Sequence, residues 1–456
     1  MMPSVLGWSW RRRSVLSVGV TAALLALGAA ASSGAAPASS GPVWSAATEL
    51  TLPADAQTPT DGGAADNTGG VSCPSAGNCV AVGSYDASAQ GRGLSVSPPM
   101  VLTQTGGTWV ATRIALPADS AAQVGGLYSV SCASVGNCAA VGGYMAMLTP
   151  VEAWQAMVVT ETDGVWGQAS GLVLPPNAAP ANQMGGPTSE PMSVACPGPG
   201  DCVAVGYYTD QDNDIQAMVA QETNGVWGQA SEITPPAGAV AAPLPGGTVL
   251  ASVACPSAST CVAVGWYSIV GKGNSRSMVM TEKNGAWSRA KTVGLTTDPR
   301  TSVDSLSSVA CSGVRHCVAL GSFNYAVRYS SIDRSALISE TNGSWGQPAP
   351  LGGTMFGANA LACPSLGSCV AVGSSEWRAP KGDNVVLRAT TVAQSGGTWA
   401  TGATAIALPT NAKPVQRVDA GLTGVACTSQ GHCVAVGDYS ATNGGNTEVM
   451  VTTSQP

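Results

Sequence analysis

The sequence predicts an all-β protein, a seven-bladed β-propeller with four antiparallel strands per blade. Three observations carry that prediction: a cysteine pair recurs seven times, each pair leads into a four-strand pattern, and the strand missing from the last repeat stands at the front of the chain. The first pair is Cys73-Pro74-Ser75-Ala76-Gly77-Asn78-Cys79, running on into Val80-Ala81-Val82-Gly83. The others are Cys132 with Cys138, Cys196 with Cys202, Cys255 with Cys261, Cys311 with Cys317, Cys363 with Cys369 and Cys427 with Cys433, which use all 14 cysteines. Successive pairs lie 52 to 64 residues apart. A period of that size holds about four short strands and marks a repeat architecture.

In chain order, Arg11-Arg12-Arg13 precede an apolar run from Val15 to Leu27 and then Ala29-Ala30-Ala31. This is the pattern of an export signal over residues 1–31, and the run is too short for a membrane span. Arg12-Arg13-Ser14-Val15-Leu16 also resembles a twin-arginine export motif, so both export routes stay open. A flexible linker, 32–40, and one propeller domain, 41–456, follow. Within a repeat the first strand, such as Met192-Ser193-Val194-Ala195-Cys196, enters a tight turn, and the second leaves it as Cys202-Val203-Ala204-Val205-Gly206-Tyr207. After a variable loop comes the third strand, Ala217 to Thr223, which turns at Asn224-Gly225, the dipeptide favoured in two-residue hairpins. The fourth strand begins at Trp227 and is expected to run through Ala230 to Pro235. Four such strands make one propeller blade.

The seventh repeat stops after Glu448-Val449-Met450-Val451-Thr452-Thr453 with no tryptophan strand. Its counterpart is Val43-Trp44-Ser45-Ala46-Ala47-Thr48-Glu49-Leu50-Thr51-Leu52-Pro53, which matches the segment from Val165 to Pro175 at Val, Trp, Ala, Leu, Leu and Pro. A ring closed by its first strand needs this permutation, and an open solenoid does not. The strand tryptophans, Trp44, Trp109, Trp166, Trp227, Trp287, Trp345 and Trp399, are expected to carry much of the packing between blades, since the chain has only two Phe.

Beyond residue 31 the chain carries 16 basic and 26 acidic residues, a net charge of −10. That balance argues against nucleic acid or an anionic membrane as a partner. With 45% apolar residues in periodic strands, the disorder signature is absent. The mature chain is expected to have no membrane span and to be secreted. Each cysteine pair reads as a local disulfide, because zinc needs four ligands and the pairs fall in different blades. For so short a loop each bridge contributes about 2 kcal/mol.

The stretch Thr160-Glu161-Thr162-Asp163-Gly164-Val165-Trp166 resembles the Asp-box, or BNR repeat, a Ser/Thr, Asp, Gly and aromatic motif at the turn between third and fourth blade strands. Sialidases, reelin-like modules, sortilin-type receptors and photosystem assembly factors share it. The resemblance implies a secreted bacterial repeat propeller of sialidase-like fold without a recognisable sialidase active site. It covers every blade, although only Asp163 keeps an acid at the turn, with Asn224, Asn284, Asn342, Gly106 and Gly397 elsewhere. In those families the motif is structural and implies no catalysis.

No catalytic group stands out. The only histidines, His316 and His432, fall just before a second cysteine and read as turn residues, which leaves a Ser-His-Asp triad without its base. Asp210-Gln211-Asp212-Asn213-Asp214 offers calcium-type oxygens but lacks the glycine and distal glutamate of an EF-hand loop, and reads as a polar loop. The stretch from Gly265 to Lys272 has the wrong glycine spacing for a phosphate loop. Neither a cofactor nor a metal is expected.

Topology locates a binding site better than motifs do. The disulfide hairpins and Asn-Gly turns share one face of the ring and are nearly uniform. Loops between second and third strands and between blades share the other face and vary, the arrangement in which recognition usually resides. The candidate ligand-binding residues there are Trp154, Arg276, Tyr325, Arg328, Tyr329, Arg334, Glu376, Trp377 and Arg378, with Asp333 and Asp383 nearby. The expected role is non-enzymatic binding of a glycan or an extracellular protein. The alternatives are a glycan-cleaving hydrolase or lyase, and a structural envelope component.

Overall fold

The computed structural model describes residues 42–455 apart from 58–65, 89–94, 149–150, 181–187, 244–245, 271–273, 297–300, 328–329, 352–355, 379–384, 415–418 and 443–446. The expected signal (1–31) and linker (32–40) lie outside the described residues. Seven antiparallel sheets form a ring. Their first strands are Asn67–Ser75, Ser120–Ser134, Ser189–Gly198, Thr248–Ser257, Thr301–Gly313, Phe356–Ser365 and Ala420–Ser429, and we number blades one to seven in that order. Each first strand touches the first strand of the next blade, and that of blade seven touches that of blade one, so these strands line the central axis. Among the described residues there is no helix, and hence none long and apolar enough to cross a membrane.

Closure is as the permuted repeat predicts. Val43 and Trp44 pair with Gln455 and Ser454, and Thr48 and Glu49 pair with Val451 and Met450, completing blade seven from the front of the chain. Except in blade one, where Thr108–Arg113 pairs without interruption, the fourth strands differ from expectation in being broken. In blade three only Val226–Trp227 and Ser231–Glu232 pair with the third strand, Ile215–Thr223. The break frees Ala230 to donate its N–H to Val173 O, 2.8 Å away in the segment leaving blade two. Ala47, Ala169 and Ala290 bridge back in the same way. A buried, small residue is what the repeated Trp-x-x-Ala spacing supplies.

Between blades the filling is mostly Val, Ala, Leu and Met, with Leu102, Leu250, Leu306, Met100, Met218 and Met278 among the largest side chains removed from solvent. Each such aliphatic group contributes about 1.5–3 kcal/mol by burial. Every strand tryptophan packs against one inter-blade cluster, but at its margin and only partly buried. The largest fully buried side chains are tyrosines instead, at 85, 208 and 439.

One backbone irregularity recurs in every blade. In blade three Pro191 pairs with Gly206 and Ser193 with Val205, so Met192 is an extra residue on the first strand. Such a bulge bends the first strand toward its neighbour. A Cβ on Gly206 would stand 2.0 Å from the carbonyl oxygen of Glu190. The corresponding approach is 1.9 to 2.1 Å at Gly83, Gly142, Gly265, Gly321, Gly373 and Gly437. The glycine ending every Val-Ala-Val-Gly segment, or its variant, is therefore a contact requirement. The bulge also turns serines toward the next blade: Val194, Val253 and Val309 donate their N–H groups to Ser129, Ser193 and Ser252, at 3.1, 3.2 and 3.1 Å.

Candidate functional site

One face of the ring is closed uniformly. All seven expected disulfides form: Cys73 with Cys79, Cys132 with Cys138, Cys196 with Cys202, Cys255 with Cys261, Cys311 with Cys317, Cys363 with Cys369 and Cys427 with Cys433. The two halves of each bridge differ in setting. Cys79, Cys138, Cys202, Cys261, Cys317, Cys369 and Cys433 are buried members of the inter-blade clusters, whereas their partners are only half-buried. Besides pinning the hairpins, Cys138, Cys261 and Cys317 and their counterparts start the buried face of the second strand and pack as small hydrophobes. No cysteine among the described residues is free.

Beside each bridge lies the turn between third and fourth strands. Asp163, Asn224, Asn284 and Asn342 take φ of 50 to 54° there, each followed by a glycine at 79 to 83°. Positive φ at both positions is what a two-residue turn matching strand twist requires. The two turns are joined: Gly164 N donates to Gly136 O at 2.9 Å, Gly225 N to Gly200 O at 2.8 Å and Gly397 N to Gly367 O at 2.9 Å. His316 and His432 begin second strands beside this face, where they pair with Gly313 and Ser429 as turn residues.

The opposite face is held by different groups. Six residues after the second cysteine stands Tyr85, Tyr144, Tyr208, Tyr267 or Tyr439, with Phe323 and Ser375 in blades five and six. The tyrosine rings are buried, and the hydroxyls donate to acceptors such as Asp55 at 2.6 Å, Asn177 at 2.8 Å and Asn411 at 2.8 Å. These acceptors lie two residues beyond Pro53, Pro175 and Pro409, in the segments that enter each blade. Burial, reinforced by carboxylates where present, raises the pKa of these hydroxyls and keeps them neutral donors. This staple was readable as a Tyr at fixed distance from cysteine and a Pro-x-Asp/Asn before the blade, but its partners are separated by a variable loop.

At the channel mouth on this face, four carboxylates, Asp66, Glu190, Asp304 and Asp438, sit among the inner strands. Asp304 accepts from the Ser277 hydroxyl and, at 3.1 Å, from Leu295 N. Asp438 Oδ1 accepts from Thr68 N at 3.0 Å and Thr68 Oγ1 at 3.2 Å, across the seam where blade seven meets blade one. Burial pushes the Asp438 carboxyl up to about 7, with the neighbouring Asp66 charge adding to it. Asp66, which accepts from Asp86 N at 2.9 Å, is pushed up to about 6 by burial. Glu190 is raised by burial too, against the opposing hydrogen bond from Tyr207. Tyr128, beside Glu190, lines a channel cavity of about 220 Å³ whose other walls are largely backbone: Gly69, Gly70, Ser129, Thr423 and Gly424.

The sequence-chosen residues are dispersed among these features. Trp154 lies over Gly143 and spends its indole N–H on Tyr128 Oη at 3.0 Å, so it packs the mouth of blade two. Arg276 stands opposite Tyr267 on the third strand of blade four and donates to Ser275 O at 2.8 Å. Tyr325 pairs with Ile332 at the end of the blade-five hairpin, and Arg334 pairs with Phe323 below it. Glu376, Trp377 and Arg378 end the second strand of blade six, where the guanidinium of Arg388 stacks 3.8 Å from the Trp377 ring centroid. Arg328, Tyr329 and Asp383 lie outside the described residues. The Asp210 carboxylate is satisfied by its own loop, accepting from Asp212 N, Asp214 N and Gln216 Nε2 at 2.9 to 3.0 Å. Sequence reasoning missed Tyr128, Glu190, Asp438 and Arg388.

No family model matches the chain, and no curated protein matches it. Among solved structures it is similar to YCF48 bound to a D1 peptide, at 13% identity and TM-score 0.42 over 91% of this chain and 95% of that one. It is similar to the Hadza microbial sialidase Hz136, at 14% identity and TM-score 0.43 over 68% of this chain and 63% of that one. An ulvan lyase bound to a glucuronate–rhamnose-sulfate fragment aligns at 9% identity and TM-score 0.46, covering 86% and 96%.

Proposed function

We propose that this is an exported propeller, released from a signal over residues 1–31, that binds a glycan or an extracellular protein through its variable face. One observation carries the reading: a ring with one face pinned by a short disulfide hairpin in all seven blades presents on the other side hairpins that differ in length and chemistry. Second strands end at Thr209 and Ser268 in blades three and four, but run on to Leu148 and Val327 in blades two and five. Seven disulfides fit an oxidising compartment. Binding of the oxidised chain to an array of bacterial, plant and animal glycans tests the proposal, followed by pull-down from an envelope fraction. Binding on either route that is lost in a Trp377→Ala/Arg378→Ala variant supports it. Silence on both routes sinks it.

A second reading, a glycan-cleaving hydrolase or lyase, is favoured by the Glu190 carboxyl, raised by burial and flanked by Tyr207 and Tyr128. Release of reducing ends or unsaturated sugars, abolished by Glu190→Gln, is the outcome that reading requires.

A further inference from the structure

Charge is divided unevenly around the ring. Of the 16 basic residues beyond residue 31, 14 lie between residues 248 and 417, the span of blades four to six with their connections, against only seven of the 26 acids. The rest of the propeller is correspondingly acidic. Within the basic arc three arginines occupy one structural position. Arg276 stands opposite Tyr267, Arg334 opposite Phe323 and Arg388 opposite Ser375 on the third strands of blades four, five and six. Each is 11 residues before the tryptophan of its blade, Trp287, Trp345 or Trp399. In blades two, three and seven the same register holds Gln155, Gln216 and Glu448.

Equal register places the three side chains on the same side of their sheets, at the variable-face end. All three are half-buried, the state in which an arginine stem packs and its head reaches water. Among the described residues no carboxylate lies within ion-pair distance of Arg334 or Arg388. Stacking of Arg388 on Trp377 holds the guanidinium plane and leaves its edge, where the N–H donors are, for an anion.

We infer that blades four to six form a binding strip for a linear anionic polysaccharide bearing carboxylate or sulfate groups at intervals. The inference rests on the glycan reading proposed above and gives it a location and a charge. Three cations at one register on successive blades match charges repeated along a chain. Asp333 and Glu376 are the strand neighbours of Arg334 and Trp377 and so project to the opposite faces of their sheets. A net charge of −10 beyond residue 31 repels polyanions in general, so binding depends on sugar contacts as well as charge, which favours a glycan over nucleic acid or polyglutamate.

The test is titration of the oxidised full chain with oligogalacturonides from the monomer upward, at several salt concentrations. Affinity is expected to climb with length and level off once the chain spans three blades. The slope of log affinity against log salt should be about −2, near 0.7 for each of three contacts. Arg334→Gln and Arg388→Gln should each weaken binding about tenfold and flatten that slope by about 0.7. Lys291→Gln, on the outermost strand of blade four, should change neither. Unchanged unfolding midpoints in the variants would show that the ring is intact. Equal affinity for monomer and long chains, or indifference to the arginine variants, overturns the strip. Equally tight binding of polyglutamate or single-stranded DNA overturns the choice of a glycan. A neutral glycan or a protein bound to the variable face independently of these arginines leaves the proposed function standing and removes only this inference.

Discussion

The two faces of the ring are closed by different chemistry. On one, every blade has a disulfide and blades one to six add a left-handed two-residue turn, covalently and conformationally fixed within about 35 residues of chain. On the other, closure depends on buried tyrosine hydroxyls, buried carboxylates and bulged strands whose partners come from neighbouring blades. The first arrangement is redundant and varies little from blade to blade. The second lets blade five replace tyrosine with Phe323 and blade six with Ser375 while the ring remains closed. A surface held by dispersed non-covalent contacts can vary from blade to blade, which is what a recognition face requires.

The comparison can be broken from the disulfide side first. Reducing all seven bridges removes on the order of 10 kcal/mol of constraint on the unfolded chain, comparable with the whole stability of a typical domain. Calorimetry in reductant should lose the cooperative transition at temperatures where the oxidised protein is folded; an unchanged midpoint would show that the variable face alone sustains the ring.

Next in size is the bulge contact. Gly206→Ala puts a methyl 2.0 Å from the Glu190 carbonyl and should cost about 3 kcal/mol. Gly228→Ala, whose Cβ would sit 3.5 Å from Gln221 O, should stay within about 0.5 kcal/mol. Equal midpoints for the two in denaturant titration would contradict the contact argument.

The blade-seven seam gives a pH test. Asp66 and Asp438 have folded pKa values of about 6 and about 7, above the ordinary aspartate value of 3.8. Between about pH 4 and 7 the folded chain therefore holds more protons than the unfolded chain, and stability falls as pH rises through that window. The melting temperature should rise by a few degrees from about pH 8 to about pH 5, and Asp438→Asn should flatten the rise. A melting temperature that falls over this range would reverse the assignment. Smallest is the loss of one hydroxyl: Tyr208→Phe should cost about 1 kcal/mol, since Asn177 and Glu232 lose a shared donor but keep access to water. A double mutant with Tyr439→Phe should be additive, because the two tyrosines are separated by several blades.

The number of blades, the permuted closure and the disulfides followed from spacing, because each is settled by residues close in sequence or by a repeat that makes distant copies equivalent. Gly206 and its counterparts were visible as an invariant of the repeat, although the reason for glycine was not. Likewise the cysteine spacing shows the bridge but not that Cys138, Cys261 and Cys317 sit inside the inter-blade clusters, since those clusters need the neighbouring blade. The site was much less legible. Trp154 reads as an exposed aromatic and is instead fixed onto Gly143 and Tyr128, while Arg388 carries no local motif and is marked only by its stacking on Trp377.

What the sequence by itself determined is therefore the ring: hydrophobic period, turn dipeptides and cysteine spacing act locally and recur seven times, so local rules sum to a global fold. What only the tertiary structure decided is the chemistry of the mouth. Thr68 and Asp438 meet across a separation of 370 residues, and the altered acidity of Asp438 arises from burial that exists only once the last blade has closed against the first.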